Sequence, residues 1–205
     1  MLAEIITDPG KETAMNAIEV NGLTKKYKTK TAVDGISFSA KEGELFALLG
    51  VNGAGKTTTI RMLSCLSQPT AGEGFVNGHS ILTEKTAVKS VIGISPQDTA
   101  VADNLTVREN LQFMAKVYGF DKEKTASRTA EMIAMFGMEE VENSRAKTLS
   151  GGWKRKLSIA MAIIGEPKVL FLDEPTLGLD VLARRELWKA IEKLKGNTTV
   201  ILTTH

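Results

Sequence analysis

Apolar and polar positions alternate along parts of this chain in a way that predicts strands separated by helices. The alternation begins at residues 17–20 and returns at 31–39, which predicts two strands. Residues 44–49 form a nearly continuous apolar run, as is typical of a strand buried on both faces of a parallel sheet. Short strands are predicted around the turn residues at 72–78, and two further strands at 168–172 and 198–203. With helices predicted between these strands, the pattern indicates an α/β fold.

The middle of the chain follows the helical period instead. Residues 98–164 contain Thr106 and Glu109, which match a capping box, and a helix is predicted over 121–136. A further helix is predicted after Ser150. We expect this block to form a helical subdomain inserted between the strands of the sheet.

The remaining residues divide between a core and a terminal extension. We expect residues 1–16 to be a disordered extension. The core is predicted to comprise 17–97 and 165–205, with helices at about 55–66 and 182–195. Both helices are predicted from the spacing of their apolar residues, and the second is expected to end at Gly196.

Composition narrows the class of protein. Of the 205 residues, 42% are hydrophobic and 24% are charged, as in an ordinary globular chain. The net charge of +2 gives no support to a nucleic-acid partner. No uncharged apolar run approaches the length of a membrane span. The single cysteine, Cys65, excludes an intramolecular disulfide and is expected to face the core from the helix at 55–66.

A phosphate-binding loop follows the third predicted strand. The segment 50–57 fits the pattern G-x-x-x-x-G-K-[ST] and stands between a buried strand and a helix, as the mechanism of such loops requires. Its backbone amides and the helix N-terminus favour anions, and the ammonium of Lys56 suits the β- and γ-phosphates. The hydroxyl of Thr57 is expected to ligate Mg²⁺. The residues expected to bind nucleotide are Gly50, Asn52, Gly53, Ala54, Gly55, Lys56, Thr57 and Thr58.

Two carboxylates end the buried strand at 168–172. Asp173 is expected to help hold Mg²⁺, and Glu174 to polarise an attacking water as a general base. Alone, such a pair is better explained as solvated surface acids. Downstream of a phosphate loop the catalytic interpretation of the pair is favoured, because nucleotide hydrolysis needs both a metal ligand and a group that orients water.

The order of motifs along the chain resembles the nucleotide-binding subunit of an ATP-binding cassette (ABC) transporter. The resemblance covers residues 17 to 205 and is closest to exporters of the multidrug or ABC-2 type. Its motifs in order are Tyr27, the phosphate loop at 50–58, Gln97, Leu149-Ser150-Gly151-Gly152, the acidic strand end at 169–174, Gly178-Leu179-Asp180, and His205. It implies a P-loop NTPase core with a mostly parallel sheet, an N-terminal antiparallel β region and an inserted helical subdomain.

The resemblance also implies roles for residues that pattern alone does not explain. Tyr27 would stack on the adenine of ATP, although a core aromatic is a serious competing interpretation. Gln97 would sense Mg²⁺ and water and couple the site to a membrane partner. Ser150 and the amides of Gly151 and Gly152 would face the γ-phosphate bound by a second subunit, although a plain N-cap also explains a serine there.

The last two motifs carry implied roles as well. Asp180 would lie at the interface with the second subunit, although an aspartate before a helix is also an ordinary N-cap. His205 would contact the γ-phosphate and hold Glu174 and water in place. Together these residues imply an ATPase that uses ATP and Mg²⁺ and closes as a homodimer or with a related subunit.

The implied function is ATP-driven transport, most simply export, through separate transmembrane permease subunits. The chain would then be cytoplasmic, held peripherally on the inner face of the membrane by those subunits. Two alternatives remain open: a cassette ATPase that moves no solute, and a truncated fragment that binds ATP with little turnover.

Two departures from the family pattern motivate the second alternative. Trp153 stands where the family most often has glutamine, and the chain stops at His205, where family members usually continue. We expect a C-terminal truncation and an effect of Trp153 on dimer closure. The basic run 154–156 is expected to form a solvated helix face.

Overall fold

Residues 15–204 are described by a computed structural model, and they form eight strands, six α-helices and two short 3₁₀ helices, Glu139–Val141 and Ala146–Thr148. The strands are β1 (Asn16–Tyr27), β2 (Lys30–Lys41), β3 (Leu45–Leu49), β4 (Ala71–Val76), β5 (His79–Ser80), β6 (Ile92–Ser95), β7 (Val169–Leu172) and β8 (Thr199–Thr204). The helices are α1 (Lys56–Leu63), α2 (Lys85–Val91), α3 (Val107–Val117), α4 (Lys122–Phe136), α5 (Gly151–Ile163) and α6 (Val181–Glu192). Residues 1–14 of the predicted extension, and His205, lie outside the described residues.

The strands form two sheets, which confirms the predicted α/β class with an antiparallel N-terminal region. One sheet has the order β2-β1-β4-β5, and the neighbours in it pair antiparallel. The other has the order β3-β8-β7-β6, with β8 parallel to both β3 and β7. A parallel pair needs a long crossover connection, and the helices of an α/β fold supply it.

The parallel sheet is built from the continuous apolar runs of the sequence. Every residue of β7 is buried, and so are the first five residues of β8. Leu49 at the end of β3 lies opposite Thr204, and Leu172 at the end of β7 lies opposite Leu202. The carboxyl ends of these three strands therefore meet at one edge of the sheet, where open α/β sheets bind ligands.

The chain divides into two compact units. The first comprises residues 15–94, 168–174 and 194–204, and the second comprises 95–167 and 175–193. The first unit contains a buried apolar cluster to which both sheets contribute, with Phe38 stacked on Phe46 at 5.1 Å between ring centroids. The second unit includes the expected helical block at 98–164 and also residues 175–193. The domain boundaries expected from the sequence stay a prediction.

In the second unit, helix termini follow the sequence signals closely. The side chain of Thr106 accepts from the Glu109 amide, and the Glu109 carboxylate accepts from the Thr106 amide, which completes the predicted capping box. Gly137 ends α4 in the left-handed conformation, with φ at 61°. None of the helices within residues 15–204 is long and apolar enough to cross a membrane.

Sequence periodicity missed two elements in the first half of the chain. Helix α2 and strand β6 lie at 85–95, where no helix or strand had been assigned. The helix is only 7 residues long, and Val88 is its one residue classed as buried. Such a short helix repeats its apolar spacing too few times to stand out.

Candidate nucleotide site

The phosphate loop connects β3 to α1, and its glycines adopt backbone conformations that other residues rarely take. Gly55 caps α1 with φ at 92°, and a Cβ atom built there would lie 2.2 Å from the carbonyl oxygen of Ala32. Gly53 also has a positive φ of 80°, but the nearest atom to its Cβ position, the Lys30 Nζ, is 3.9 Å away. Gly55 is therefore required by close backbone approach as well as by conformation.

Lys56, the first residue of α1, turns its ammonium back toward the end of β3. The residue is only 9% exposed, and its Nζ donates to the Gly50 carbonyl. The same Nζ lies 3.3 Å from Oε1 of Glu174, whose side chain is 9% exposed. The cation from the phosphate loop and the carboxylate at the end of β7 are thus direct neighbours.

Asp173 and Thr57 lie side by side at the same sheet edge. The Thr57 hydroxyl donates to Asp173 Oδ1 at 3.1 Å, and the Thr203 hydroxyl donates to the same oxygen at 2.7 Å. Thr203 is fully buried near the end of β8, and its oxygen accepts from the Glu174 amide at 2.8 Å. One threonine therefore orients both carboxylate residues.

Glu174 has a left-handed backbone, with φ at 48°. A positive φ costs free energy in a residue with a side chain, so it persists only where surrounding bonds hold it. Here the bond from its amide to Thr203 is one such restraint. Strained backbone at a buried carboxylate is a reason to suspect function at Glu174.

The donor set fits a nucleotide with Mg²⁺. A threonine hydroxyl and a carboxylate oxygen are hard oxygen ligands, and Mg²⁺ takes one or two such protein ligands together with phosphates and water. The residues that could hold the ion are Thr57 and Asp173. Within residues 15–204 there is no cluster of three or more His, Cys, Asp or Glu side chains that could hold a metal alone.

Tyr27 lies at the end of β1 and presents an exposed ring. The residue is 47% exposed, and the Lys25 Nζ lies 5.1 Å from the ring centroid. The core-aromatic interpretation of Tyr27 is therefore wrong. Val33 in β2 is only 1% exposed, and its Cγ2 lies 2.9 Å from the position of a Cβ atom built at Gly55.

The remaining candidates lie in the second unit, on exposed helix starts. Ser150 caps α5 and accepts from the Trp153 amide at 3.4 Å, while a Cβ atom at Gly151 would meet no atom within 4 Å. Asp180 caps α6 and accepts from the Ala183 amide at 2.9 Å. The N-cap interpretation therefore holds for both side chains, and Ser150 and Gly151 at the start of α5 are exposed.

Gln97 is exposed in the segment after β6, and its main-chain carbonyl is held by an unexpected residue. Arg155 Nη1 donates to that carbonyl at 3.2 Å. The expectation of a solvated face at 154–156 was wrong, because Arg155 is 4% and Lys156 is 7% exposed. Helix α5 is buried over most of its circumference, so its second turn has little solvent-facing surface.

Trp153 lies beside this buried pair. Its indole ring is 4.3 Å from the Lys156 Nζ, which also bonds to Glu186 Oε2 at 2.7 Å. A cation over an aromatic face is a favourable contact. The contact with Lys156 therefore helps to place the indole ring of Trp153 at the start of α5.

Cys65 differs slightly from its expected place. Helix α1 ends at Leu63, and Cys65 follows it in the left-handed conformation with φ at 58°. Its half-buried side chain packs against the core cluster, and burial raises the pKa of the thiol. The thiol is therefore less reactive than a solvent-exposed one.

Sequence reasoning missed Thr203 and Arg155, which bond to the candidate residues or to their neighbours. A threonine that interrupts the apolar run of β8 just before its carboxyl end was the available signal for Thr203. For Arg155 the signal was a basic residue in a helix whose other positions are mostly apolar. Neither signal identifies a bonding partner, because the partners of Thr203 and Arg155 are known only from the fold.

A parallel sheet with a phosphate loop after β3 and two acids after β7 defines a P-loop nucleotide-binding ATPase domain. The sequence profile of the ABC transporter family matches residues 33–177, well over half of the chain. The chain belongs to this family.

Known proteins support the assignment. The chain is 39% identical over 198 residues to the human phospholipid-transporting ATPase ABCA3, covering 95% of this chain and 12% of that protein. It is 42% identical over 189 residues to the daunorubicin/doxorubicin resistance ATP-binding protein DrrA of Streptomyces peucetius, covering 92% of this chain and 57% of DrrA. This chain therefore spans only part of these relatives.

A solved structure extends the likeness to three dimensions. The ATP-binding cassette MJ0796, in a dimeric post-hydrolysis state bound to ADP and Pi, matches with a TM-score of 0.82 and 26% identity. The match covers 92% of this chain and 88% of MJ0796. Fold and family together establish this chain as an ABC ATPase domain that binds ATP.

Proposed function

We propose that this chain hydrolyses ATP with Glu174 as the general base and Lys56 as the main cation for the β- and γ-phosphates. The observation that carries the proposal is the meeting of the Lys56 ammonium and the Glu174 carboxylate, 3.3 Å apart at the carboxyl edge of the parallel sheet. Thr57 and Asp173 are the proposed ligands of Mg²⁺, supported by their contact of 3.1 Å. When bound, Mg²⁺ would neutralise charge on the phosphate oxygens.

Each residue then has a defined part in the reaction. Glu174 accepts a proton from the attacking water, and the water oxygen forms a bond to the γ-phosphorus. The bond between the γ-phosphorus and the β–γ bridging oxygen breaks, and ADP leaves with that electron pair. Lys56 stabilises the negative charge on the transferring group because its ammonium is held at the phosphate loop.

Further residues are assigned by the family resemblance. Tyr27 would stack on adenine, which its exposed ring supports. Gln97 and His205 would complete the site around Mg²⁺, water and the γ-phosphate. The remaining loop residues, Gly50, Asn52, Gly53, Ala54, Gly55 and Thr58, would contribute amides and hydroxyls to the phosphates.

The working form is proposed to be a dimer, either of this chain or with a related ATPase subunit. Ser150, Gly151, Gly152 and Asp180 would face the ATP bound by the other subunit. The exposed start of α5 supports this, because Ser150 and Gly151 lie at the surface and a helix N-terminus favours an anion. The dimeric state of MJ0796 adds support.

The biological role is proposed to be the powering of transport through separate membrane subunits, in the direction of export. The family supports the transport role. The name of DrrA, a drug-resistance ATP-binding protein, supports export. The chain would then work on the inner face of the membrane, bound to its permease partners.

The proposed base is tested by Glu174→Gln. We expect turnover to fall at least about a hundredfold with ATP affinity retained, because the amide cannot accept the proton from water. The measurement is phosphate release together with equilibrium binding of ATP. A matched control is Glu166→Gln, since Glu166 is also a left-handed glutamate but lies on the surface beside Lys124. Unchanged turnover in Glu174→Gln would remove Glu174 from this role.

The proposed dimer is tested on the same variant. Light scattering with and without MgATP, with bound nucleotide quantified, should show a dimer only when ATP is present, because slow hydrolysis keeps the bridging γ-phosphate in place. A monomer that holds ATP would contradict closure of this chain with itself.

A further inference from the structure

Arg155 is a buried arginine whose guanidinium bonds to main-chain carbonyls. The residue lies in the second turn of α5 and is 4% exposed. Its Nε donates to the Pro175 carbonyl at 2.9 Å. Its Nη1 donates to the carbonyls of Pro96 and Gln97 at 2.5 Å and 3.2 Å. The side chain therefore joins α5 to two other segments of the second unit.

Both segments border residues of the proposed reaction. Pro96 and Gln97 follow β6, and Gln97 is itself the proposed sensor of Mg²⁺ and water. Pro175 comes directly after Glu174, the proposed base. These three acceptors are peptide carbonyls, so through them the arginine restrains the course of the backbone.

The backbone at Glu174 needs such a restraint. A residue before proline prefers an extended conformation, whereas Glu174 has φ at 48°. Its amide is held by Thr203. On the other side of Glu174, the Pro175 carbonyl is held by Arg155. Buried side chains thus hold the peptide group before the strained residue and, one residue beyond it, the peptide group that follows Pro175.

Arginine suits this task better than lysine. Its planar guanidinium carries five N–H donors in a rigid fork and can satisfy several fixed acceptors at once. A lysine ammonium keeps the charge on a flexible stem and cannot reproduce that geometry. Burying a charge costs free energy unless its hydrogen bonds are satisfied, so a buried arginine is strongly tied to its acceptors.

We propose that Arg155 is a positioning residue for ATP hydrolysis, which fixes the peptide groups on either side of Gln97 and the peptide group that follows Pro175, the residue next to Glu174. The proposal rests on the proposed function. Arg155 acts on the chemical step, and ATP binding by the phosphate loop and Tyr27 proceeds without it. Small misplacements of reacting groups lower rate constants strongly while leaving affinity for the substrate nearly unchanged.

The test compares Arg155→Met and Arg155→Lys with Ser158→Ala as the control. Ser158 lies one turn further along α5, and its hydroxyl bonds to that of Ser95 at 3.0 Å. It therefore reports the loss of a buried hydrogen bond between α5 and the end of β6 without a change at Gln97 or Pro175. Three quantities are measured for each variant: kcat, the Kd for ATP, and amide hydrogen exchange in 97–99 and 174–177.

We expect Arg155→Met to lower kcat by about ten- to a hundredfold with Kd changed by less than about threefold. Exchange in both segments should rise about tenfold or more, because their peptide groups lose a buried donor. Arg155→Lys should recover part of kcat, and it serves as the main variant if Arg155→Met does not fold. Ser158→Ala should leave kcat and exchange in these segments unchanged.

The proposal is overturned if kcat in both arginine variants equals that of Ser158→Ala, or if kcat and ATP affinity fall together while exchange in the two segments stays as in the wild type. Failure of the proposed function has a different signature, namely no wild-type turnover or full turnover in Glu174→Gln. In that case exchange alone decides whether Arg155 holds these segments, and unchanged exchange refutes it.

Discussion

The carboxyl edge of the parallel sheet and the start of helix α5 differ in whether their candidate binding residues contact one another or are exposed. At the sheet edge the important side chains contact one another: Lys56 with Glu174, and Thr57 and Thr203 with Asp173. At the start of α5, Ser150 and Gly151 are exposed and Gly152 is half-buried. The buried side chains there, Arg155 and Lys156, bond within the second unit.

This difference teaches what each region needs from outside the chain. The sheet edge already brings together a cation, a hydroxyl and two carboxylates, so it requires only nucleotide and Mg²⁺ to form a reaction centre. The start of α5 is an exposed helix N-terminus, a kind of site that favours anions, and in the proposed dimer it meets the ATP of the other subunit. Variants of the first region should affect binding and chemistry, and variants of the exposed residues Ser150 and Gly151 in the second should affect association.

The largest effect is expected at the glycine that the sheet-edge region requires. Gly55→Ala should abolish ATP binding and lower the free energy of unfolding by about 3 kcal/mol or more, since strain at positive φ and overlap with the Ala32 carbonyl add together. Gly53→Ala is the matched control, with a similar φ and open space, and should cost only about 1–2 kcal/mol. Urea unfolding and ATP titration measure both. Equal losses in the two variants would show that the contact with Ala32 is unimportant.

A smaller effect is expected from the residue that orients both acids. Thr203→Val leaves the Glu174 amide without its hydroxyl partner and should lower the free energy of unfolding by about 1–3 kcal/mol and turnover by about tenfold. The control is Thr199→Val, in the same strand, where the buried hydroxyl accepts from the Gly43 amide instead. Thermal unfolding should move similarly in both variants, while phosphate release should drop only in Thr203→Val. Equal turnover would contradict the orienting role.

The smallest effect is expected at Trp153 in the α5 region. Trp153→Gln removes the ring over Lys156 and should change the free energy of unfolding by less than about 1 kcal/mol, because the salt bridge from Lys156 to Glu186 remains. Its consequence, if any, belongs to dimer formation, measured as the ATP concentration for half-maximal dimer in the Glu174→Gln background. A large loss of stability would show that the indole has a structural role beyond this contact.

Local signals were sufficient for much of the fold. The pattern from Gly50 to Thr57 specifies a strand, a loop and a helix whose geometry depends mainly on neighbouring residues. The same is true of the capping box at Thr106 and Glu109 and of Gly137 at the end of α4. Such features are predictable because their hydrogen bonds join residues close in sequence.

Contacts between residues far apart in sequence were not predicted, because local patterns carry no information about a distant partner. Arg155 was expected in solvent because a run of three basic residues is usually exposed, yet its acceptors lie 20 or more residues away in sequence. Thr203 likewise bonds to residues about 30 positions earlier. Nothing in their local sequence reveals which carbonyl or carboxylate each of them meets.

By itself, the sequence determined the class of fold, the phosphate loop and its lysine, and the two acids that end β7, because apolar spacing and short motifs encode local backbone geometry. Only the tertiary structure decided that Lys56 contacts Glu174, that Thr203 orients both acids, and that Arg155 is buried. Those outcomes depend on parallel strand register and on the packing of α5, which bring together groups far apart in the chain. Burial then makes each unpaired polar group costly, so the fold fixes their partners.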